Sequence, residues 1–175
     1  MHLLSSSDYP LPDEFEQAFR ESAVLVLETD LAALYSPKTQ EAIQNKLIYG
    51  AGGSLREAVK PQTYRALQRF CRTRGLSMGV IDTMRSALAV LTLTLNEMAR
   101  LGQAGEGVEQ YFLKKAHASG KRMDGLETVD TQIDALTAMG KSDEDKLIVS
   151  ALDDLSKTPD ALDAVKTAWR FGRVT

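Results

Sequence analysis

The fold is decided by residues 23–30, which read Ala-Val-Leu-Val-Leu-Glu-Thr-Asp. Five consecutive apolar residues without a helical period, closed by polar side chains, are typical of a strand that is buried on both faces. Parallel sheets contain such strands, because helices cover both sides of the sheet. The stretch therefore predicts an α/β fold built on a parallel strand over residues 23–27.

A second, weaker strand is predicted over residues 121–126, and elsewhere the apolar residues recur with the period of helices. Two separate helices are predicted near the C-terminus, the second of which begins at Thr158 and Pro159. The pattern predicts one predominantly helical α/β domain over residues 1–175, with about eight helices and a few-stranded parallel sheet. The longest predicted helix spans residues 81–100, with a core face of Met84, Leu88, Leu91, Leu95 and Met98 that is widened by Val90, Leu93 and the alanines.

The composition is that of a globular protein, since 43% of the 175 residues are hydrophobic and 26% are charged. These values exclude a disordered chain, a collagen and a disulfide scaffold. The net charge is −3, so no global field attracts nucleic acid. The longest apolar stretch, residues 86–95, has roughly half the ~20 residues of a transmembrane helix, which predicts no membrane insertion by this segment.

One local basic feature lies on the helix that begins at Pro61. Its arginines recur at near-helical spacing and form a ridge that is able to meet phosphate. No aromatic residue interleaves with them on that side, as base stacking requires. We interpret the ridge as a solvated outer face, with no nucleic-acid partner. Its members are Arg65, Arg69, Arg72 and Arg74.

Two predicted strands are fewer than the ~4 to 6 of a typical sheet. The sequence therefore predicts a truncated domain, with further strands before Met1 and after Thr175. No basic segment followed by an apolar segment opens the chain, so no secretion signal is predicted. Cys71 is the single cysteine and forms no internal disulfide, so the compartment is not readable from it.

Polar side chains follow both predicted strands. Glu28 directly follows the first strand, with Asp30 on the same side, and Glu127 directly follows the second. His2 would follow a third strand upstream. Because parallel strands present their carboxyl ends at one edge, we expect Glu28 and Glu127 to approach each other there. A histidine with two carboxylates suits a general-base site or a divalent metal.

Each of these residues also has a plainer interpretation. Glu28 and Asp30 are then solvated loop carboxylates, and Glu127 is an acid that favours the positive end of the following helix dipole. His2 is then part of a loose terminus. His117, near the end of another helix, is predicted to be structural or exposed.

Several short segments, spread over most of the chain, form a recognisable set. The most specific is Gly125-Leu126-Glu127-Thr128, which follows Gly120-Lys121 in register. With these segments the chain resembles the TraB/PrgY/GumN family, which is related to the Tiki proteases. The other matching segments are His2-Leu3-Leu4, Asp8-Tyr9-Pro10-Leu11-Pro12, residues 24–30 and residues 107–113.

The resemblance implies a function and a site. In that family a Gly-x-x-His motif ends the first strand, a glutamate ends the second, and a second Gly-x-x-His lies near the C-terminus. Hydrolase activity is proposed for the family and depends on metal in the Tiki proteins. Carried over, the resemblance implies His2, Glu28 and Glu127 as catalytic residues, with His2 and Glu28 as metal ligands. It also implies a bacterial protein of the periplasm or cell envelope.

Two functions stay open at this point. In the first, the parent protein is a hydrolase that cleaves peptides with a His/Glu site and a divalent metal. In the second, the same scaffold binds a peptide or a partner without catalysis. The glycine before His2 and the second Gly-x-x-His motif are both absent from these residues. The chain alone is therefore expected to be inactive, to carry no cofactor and to bind divalent metal weakly.

Self-association is the first testable prediction. If further strands normally flank residues 24–27, their absence exposes an apolar edge that pairs with another chain. A symmetric homodimer is the commonest closed arrangement of identical subunits. Sedimentation equilibrium should then give a mass about twice the 19.2 kDa of one chain. A mass of 19.2 kDa that does not change with concentration would contradict the prediction.

Overall fold

The computed structural model describes residues 3–30, 33, 36–141 and 143–172. It is 67% helical and contains a two-stranded parallel sheet, which confirms a predominantly helical α/β fold. No helix in these described ranges is both long and apolar enough to cross a membrane. In chain order the elements are η1 (Ser6–Asp8), α1 (Asp13–Glu21), β1 (Val24–Leu27), α2 (Pro37–Leu47), α3 (Leu55–Ala58), α4 (Pro61–Thr73), α5 (Met78–Ile81), α6 (Ser86–Arg100), α7 (Val108–Ser119), β2 (Arg122–Gly125), α8 (Val129–Lys141) and α9 (Glu144–Arg170).

Local side chains fix where the helices next to the sheet begin and end. The Ser36 hydroxyl accepts the Thr39 N–H at the start of α2, and the Thr128 hydroxyl accepts the Thr131 N–H at the start of α8. Such caps satisfy N–H groups that have no partner within the helix. Helix α7 ends at Gly120, whose φ of 65° is the left-handed conformation that glycine adopts without strain.

Both predicted strands are present, and they pair in parallel with Val24 opposite Arg122 and Leu27 opposite Gly125. The prediction that β1 is buried on both faces is wrong. Leu27 is buried, whereas Val26 is 50% exposed. Successive side chains of a strand point to opposite faces, and α7 covers only the face on which Leu25 packs in an apolar cluster with Phe112 of α7.

Among the residues that the structure describes, three apolar clusters hold the helices together. The largest joins α3, α4, α5, α6 and α9 and centres on Leu67, Leu93 and Ile148, each fully buried. A second cluster packs Phe112 of α7 against residues of α1 and the N-terminal segment. A third joins α2 to α8 through Leu47 and Ile133. Each such side chain stabilises the fold by roughly 1.5–3 kcal/mol.

The predicted core face of α6 is only partly right. Leu91 and Leu95 are 39% and 47% exposed, although both were assigned to the core. The buried positions include Ala89 and Leu93, as predicted, together with Glu97, which lies four residues further along the same face. The pattern of apolar residues missed Glu97 because its side chain is charged, and its ion-pair partners allow it to be buried.

Helix α9 is continuous over 27 residues and includes Pro159, although two helices were predicted there. The hydroxyls of Ser156 and Thr158 donate to carbonyls of the turn before the proline. Beyond it, Trp169 packs on Phe15 with ring centroids 5.4 Å apart, and Lys166 forms a 2.7 Å ion pair with Asp8. These contacts offset the ~3 kcal/mol that an interior proline costs a helix.

The ends of α2, α6, α8 and α9 meet at a polar junction. One Glu144 carboxylate oxygen accepts the Tyr49 hydroxyl at 2.8 Å and the Ser86 N–H at 3.1 Å. Burial, followed by this bond to Glu144, raises the pKa of Tyr49. Gly140 leaves room for the junction, because a Cβ there would lie 2.5 Å from the Ser86 hydroxyl oxygen.

Glu97, on α6, is fully buried. Its carboxylate accepts the Arg100 Nη2 at 2.6 Å and the Arg74 Nε at 3.0 Å. Arg74 is therefore not part of the predicted solvated ridge. It connects the C-terminal end of α4 to α6. The hydrogen bond from Arg100, assisted by Arg74 against the opposing effect of burial, lowers the pKa of Glu97.

We predict that Glu97→Gln destabilises the fold by about 1–3 kcal/mol at pH 7, because an amide group would face two guanidinium groups with its own N–H donors. The exposed Glu41→Gln should change stability by less than about 0.5 kcal/mol. Urea unfolding measures both. Since the folded pKa of Glu97 lies below the ordinary 4.5, its contribution is present above pH 4.5 and disappears as pH falls through the lowered pKa. Equal stability of the two variants at pH 7 would contradict this.

Candidate functional site

The two predicted glutamates meet at the carboxyl edge of the sheet. The ladder of β1 and β2 continues past the strands, with Leu126 N–H donating to the Leu27 carbonyl at 2.9 Å. Glu127 N–H then donates to the Glu28 carbonyl at 2.8 Å. The backbones of Glu28 and Glu127 are thus brought together as expected, while the roles of their side chains stay a prediction.

The carboxylates at this edge face solvent. Glu28 and Glu127 are both exposed, and within the part of the chain that the structure describes neither carboxylate forms a hydrogen bond or ion pair. Asp30, two residues beyond Glu28, is exposed as well. His2 lies outside the described residues, so its position relative to the glutamates also stays a prediction.

The side chains available at this edge determine which metal ion they could bind and whether they form a complete site. Carboxylate oxygens suit hard cations such as Mg²⁺, Ca²⁺ and Mn²⁺. Among the described residues, however, no group of three or more His, Cys, Asp or Glu side chains is arranged to hold a metal ion. Glu28 and its described neighbours therefore do not form a complete metal site by themselves.

Two grooves flank the carboxyl edge. The α7 groove, of about 520 Å³, lies between α7 and the sheet and is lined by Leu27, Leu113 and Met123. The α8 groove, of about 380 Å³, is lined by Glu127 and the first turn of α8. Thr29, Asp30 and Gly125 line both grooves. Thr29 and Asp30, which follow β1, thus lie between the two grooves.

Thr29 is one of several described residues with a buried polar side-chain atom that lacks a hydrogen-bond partner. It is only 4% exposed, and its hydroxyl has no hydrogen-bond partner. An unpaired buried hydroxyl costs roughly 1–3 kcal/mol, and buried polar groups without partners are rare. Sequence reasoning placed Thr29 only in the polar end of the strand. Its burial depends on the packing around the sheet edge, so the neighbouring sequence does not predict it.

His117 is exposed on the last turn of α7 and lines the α7 groove. The prediction that His117 is structural or exposed is therefore confirmed for its exposure. The sequence analysis did not predict that His117 lines a groove. Leu113 and His117 are four residues apart and lie on the same face of the helix. That spacing was visible in the sequence, but nothing local showed that this face borders the sheet edge.

Lys121 positions the two strands. Its ammonium group donates to the Phe19 carbonyl at 2.6 Å and to the Ser22 carbonyl, and it lies 4.6 Å from the Phe19 ring centroid. It therefore binds one carbonyl near the end of α1 and one in the short link between α1 and β1, while Lys121 itself directly precedes β2. The Gly120-Lys121 segment thus reverses the chain after α7 and fixes β2 beside β1.

We predict that Thr29→Val leaves the free energy of unfolding unchanged within about 0.5 kcal/mol, or raises it, since no hydrogen bond is lost. Thr39 is the matched control, because it is equally buried at 4% but its hydroxyl donates to the Ala33 carbonyl at 2.7 Å. Thr39→Val should therefore lower stability by about 1 kcal/mol. Urea titration measures both variants, and equal losses would show that Thr29 has a partner.

Comparison with known proteins places the chain in a family. The model of the TraB/PrgY/gumN family matches residues 1–175, which is the whole chain and includes every segment on which the resemblance rests. No curated protein and no solved structure matches it. The chain belongs to the TraB/PrgY/gumN family.

Proposed function

We propose that this chain supplies the carboxylates of a hydrolytic site that acts on peptides. The observation that carries the proposal is the 2.8 Å hydrogen bond from the Glu127 N–H to the Glu28 carbonyl. This bond holds two acidic residues side by side, at the edge of a parallel sheet where α/β proteins bind ligands. Membership of the TraB/PrgY/gumN family supports the same assignment.

The proposed function requires Glu28 and Glu127 to act in acid–base catalysis. One carboxylate takes a proton from the water that attacks the peptide carbonyl carbon, and a proton then passes to the amine that leaves. Positioned acids and bases contribute about 10²–10⁴-fold to rate. Glu28 and Glu127 are suited to this because both are exposed next to the grooves and neither is engaged by another described side chain.

We also propose that His2 and Glu28 hold a divalent metal. The described residues contain no cluster of three metal ligands, so the acid–base chemistry is assigned to the carboxylates and water alone.

The α7 groove supports a peptide as the substrate. Its volume of about 520 Å³ falls within the ~300–1,000 Å³ that is usual for ligand sites. Apolar side chains of Leu27, Leu113 and Met123 line it, and polar groups follow at the strand ends. An extended peptide that lies across the edge would place one side chain in this groove and its backbone near Glu28.

A second candidate is a scaffold that binds peptides without catalysis. The observation that favours it is the exposure of both glutamates to solvent, because catalytic carboxylates are commonly enclosed where water is excluded. In this candidate the carboxylates attract the ligand, and the groove provides the contact surface.

Substitution of the glutamates separates the two candidates. In the full-length product of the gene, supplied with divalent metal, Glu28→Gln and Glu127→Gln should each lower kcat for peptide cleavage by about 10²–10⁴-fold, because each removes a proton acceptor. Glu57→Gln, at an exposed position of α3, is the control and should retain full activity. Cleavage that is insensitive to both substitutions would contradict the hydrolase, and peptide binding without cleavage would favour the scaffold.

A further inference from the structure

Another groove lies at the junction where the ends of α2, α6, α8 and α9 meet. This junction groove has a volume of about 390 Å³, which falls within the ~300–1,000 Å³ that is usual for small-molecule sites. Among the described residues, none that lines it also lines a groove at the carboxyl edge. The junction groove is therefore separate from the site of the proposed hydrolysis.

Ser86, the first residue of α6, lies at the floor of the junction groove. It lines the groove although its side chain is fully buried, and its hydroxyl has no hydrogen-bond partner among the described residues. The hydroxyl points toward Gly140 on the same groove wall, because a Cβ there would lie 2.5 Å from the hydroxyl oxygen. Leaving a buried polar group unpaired costs free energy, and a ligand that bonds to the hydroxyl would remove that cost.

The start of α6 supplies a second donor beside this hydroxyl. Ala87 is the second residue of the 15-residue helix, so its N–H has no acceptor within the helix. Ala87 lines the groove, and its nitrogen lies 3.8 Å from the position of a Cβ on Gly140. The positive end of the helix dipole lies at the same place. Helix starts of this kind bind phosphate and other anions through their N–H groups.

The charged side chains of the groove leave a positive excess. Lys46, Arg85 and Lys141 line it, and Glu144 is the acidic residue among its described lining. Lys46 is already paired with Asp134 at 2.5 Å. Neither Arg85 nor Lys141 forms an ion pair with any residue that the structure describes. Two cations without an ion-pair partner thus stand against one carboxylate.

The acidic residues that flank Glu144 in sequence are engaged elsewhere. Asp143 accepts the Lys146 N–H at 2.9 Å and so caps the start of α9. Asp145 accepts the Lys60 N–H at 2.8 Å and forms a 3.2 Å ion pair with the Lys60 ammonium group. Neither aspartate lines the junction groove as the structure describes it, so the positive excess there is retained.

Glu144 determines which anion fits the groove. One of its oxygens already accepts the Tyr49 hydroxyl and the Ser86 N–H. Its other oxygen has no partner among the described residues and is able to accept a hydrogen. A phosphate group that retains a hydrogen donates it to this oxygen. Sulfate carries no hydrogen near neutral pH, so the same carboxylate repels it.

We propose that the junction groove binds a phosphate group. Its oxygens accept the Ser86 hydroxyl and the Ala87 N–H, and its charge is balanced by Arg85 and Lys141. The hydrogen that it retains is donated to Glu144. The volume of the groove leaves room for a small molecule that carries the phosphate, so both a free phosphate ion and a phosphomonoester are tested.

The test compares anions of the same shape. Inorganic phosphate, glycerol phosphate and sulfate are titrated into the ¹⁵N-labelled chain at equal ionic strength and at about pH 6, which is near the second pKa of a phosphomonoester. Inorganic phosphate should bind about ten-fold more tightly than sulfate, as one added charge-assisted hydrogen bond predicts. The shifted amides should be those of residues 85–88, Gly140 and Lys141. Glycerol phosphate that binds at the same amides identifies a phosphorylated molecule as the ligand, and its failure to bind there identifies the free ion.

Substitutions separate a ligand site from a purely structural role. Because the Ser86 hydroxyl has no described partner, Ser86→Ala should not lower stability in urea, yet it should weaken phosphate binding about ten-fold. Arg85→Gln with Lys141→Gln should weaken binding about five-fold or more. The matched control, Arg65→Gln with Arg69→Gln, removes the same charge from the exposed side of α4 and should bind phosphate as the unaltered chain does. Circular dichroism shows that all variants are folded.

A further substitution tests the selectivity. Glu144→Gln should abolish the preference for phosphate over sulfate, because an amide group is able to donate a hydrogen bond to either anion. Equal binding of phosphate and sulfate by the unaltered chain, unchanged phosphate affinity in Ser86→Ala, or shifts located elsewhere would overturn the inference. Selective phosphate binding that depends on Ser86 and Arg85 would support it, whether or not the full-length protein cleaves peptides.

Discussion

The parallel pairing of β1 with β2 is the constraint on which the other elements depend. Parallel strands cannot be joined by a tight turn, since the chain has to return to the same end of the sheet before the second strand begins. Here the return occupies residues 28–121 and includes α2 to α7. Helices α2 to α7 are thus the connection that the pairing requires. The same ladder extends to Glu127 and Glu28 and so creates the edge at which both grooves begin.

Features with a local cause were predictable from the sequence. The apolar run before Glu28 predicted β1, and Thr128 and Gly120 are residue types that the start of α8 and the end of α7 favour. Glu28 and Glu127 were placed at one edge because each directly follows a predicted strand. These inferences needed only strand geometry and the hydrogen-bonding demands of helix ends.

Features that depend on distant contacts were not predictable in the same way. Glu97 is buried on α6 because Arg74, at the end of another helix, pairs with it. The spacing of apolar residues along α6 carries no signal of that contact. Pro159 stays within α9 because the residues beyond it pack on the N-terminal segment. The burial of Thr29 and the groove position of His117 have the same origin. In each case, packing between segments that are distant in sequence outweighed the preference of the local sequence.

The distance along the chain between β1 and β2 has a consequence for synthesis. Chains are made at about 5–20 residues per second, so roughly 5–20 seconds pass after Leu27 is added before Arg122 exists to pair with it. During that time the apolar residues of β1 lack their partner strand, and pairing between distant segments is intrinsically slow. Helices α2, α4 and α6, which are made in the interval, pack mainly against α8 and α9, and these follow β2 in the chain. The helical core therefore also lacks its partners until the segments beyond β2 have been made.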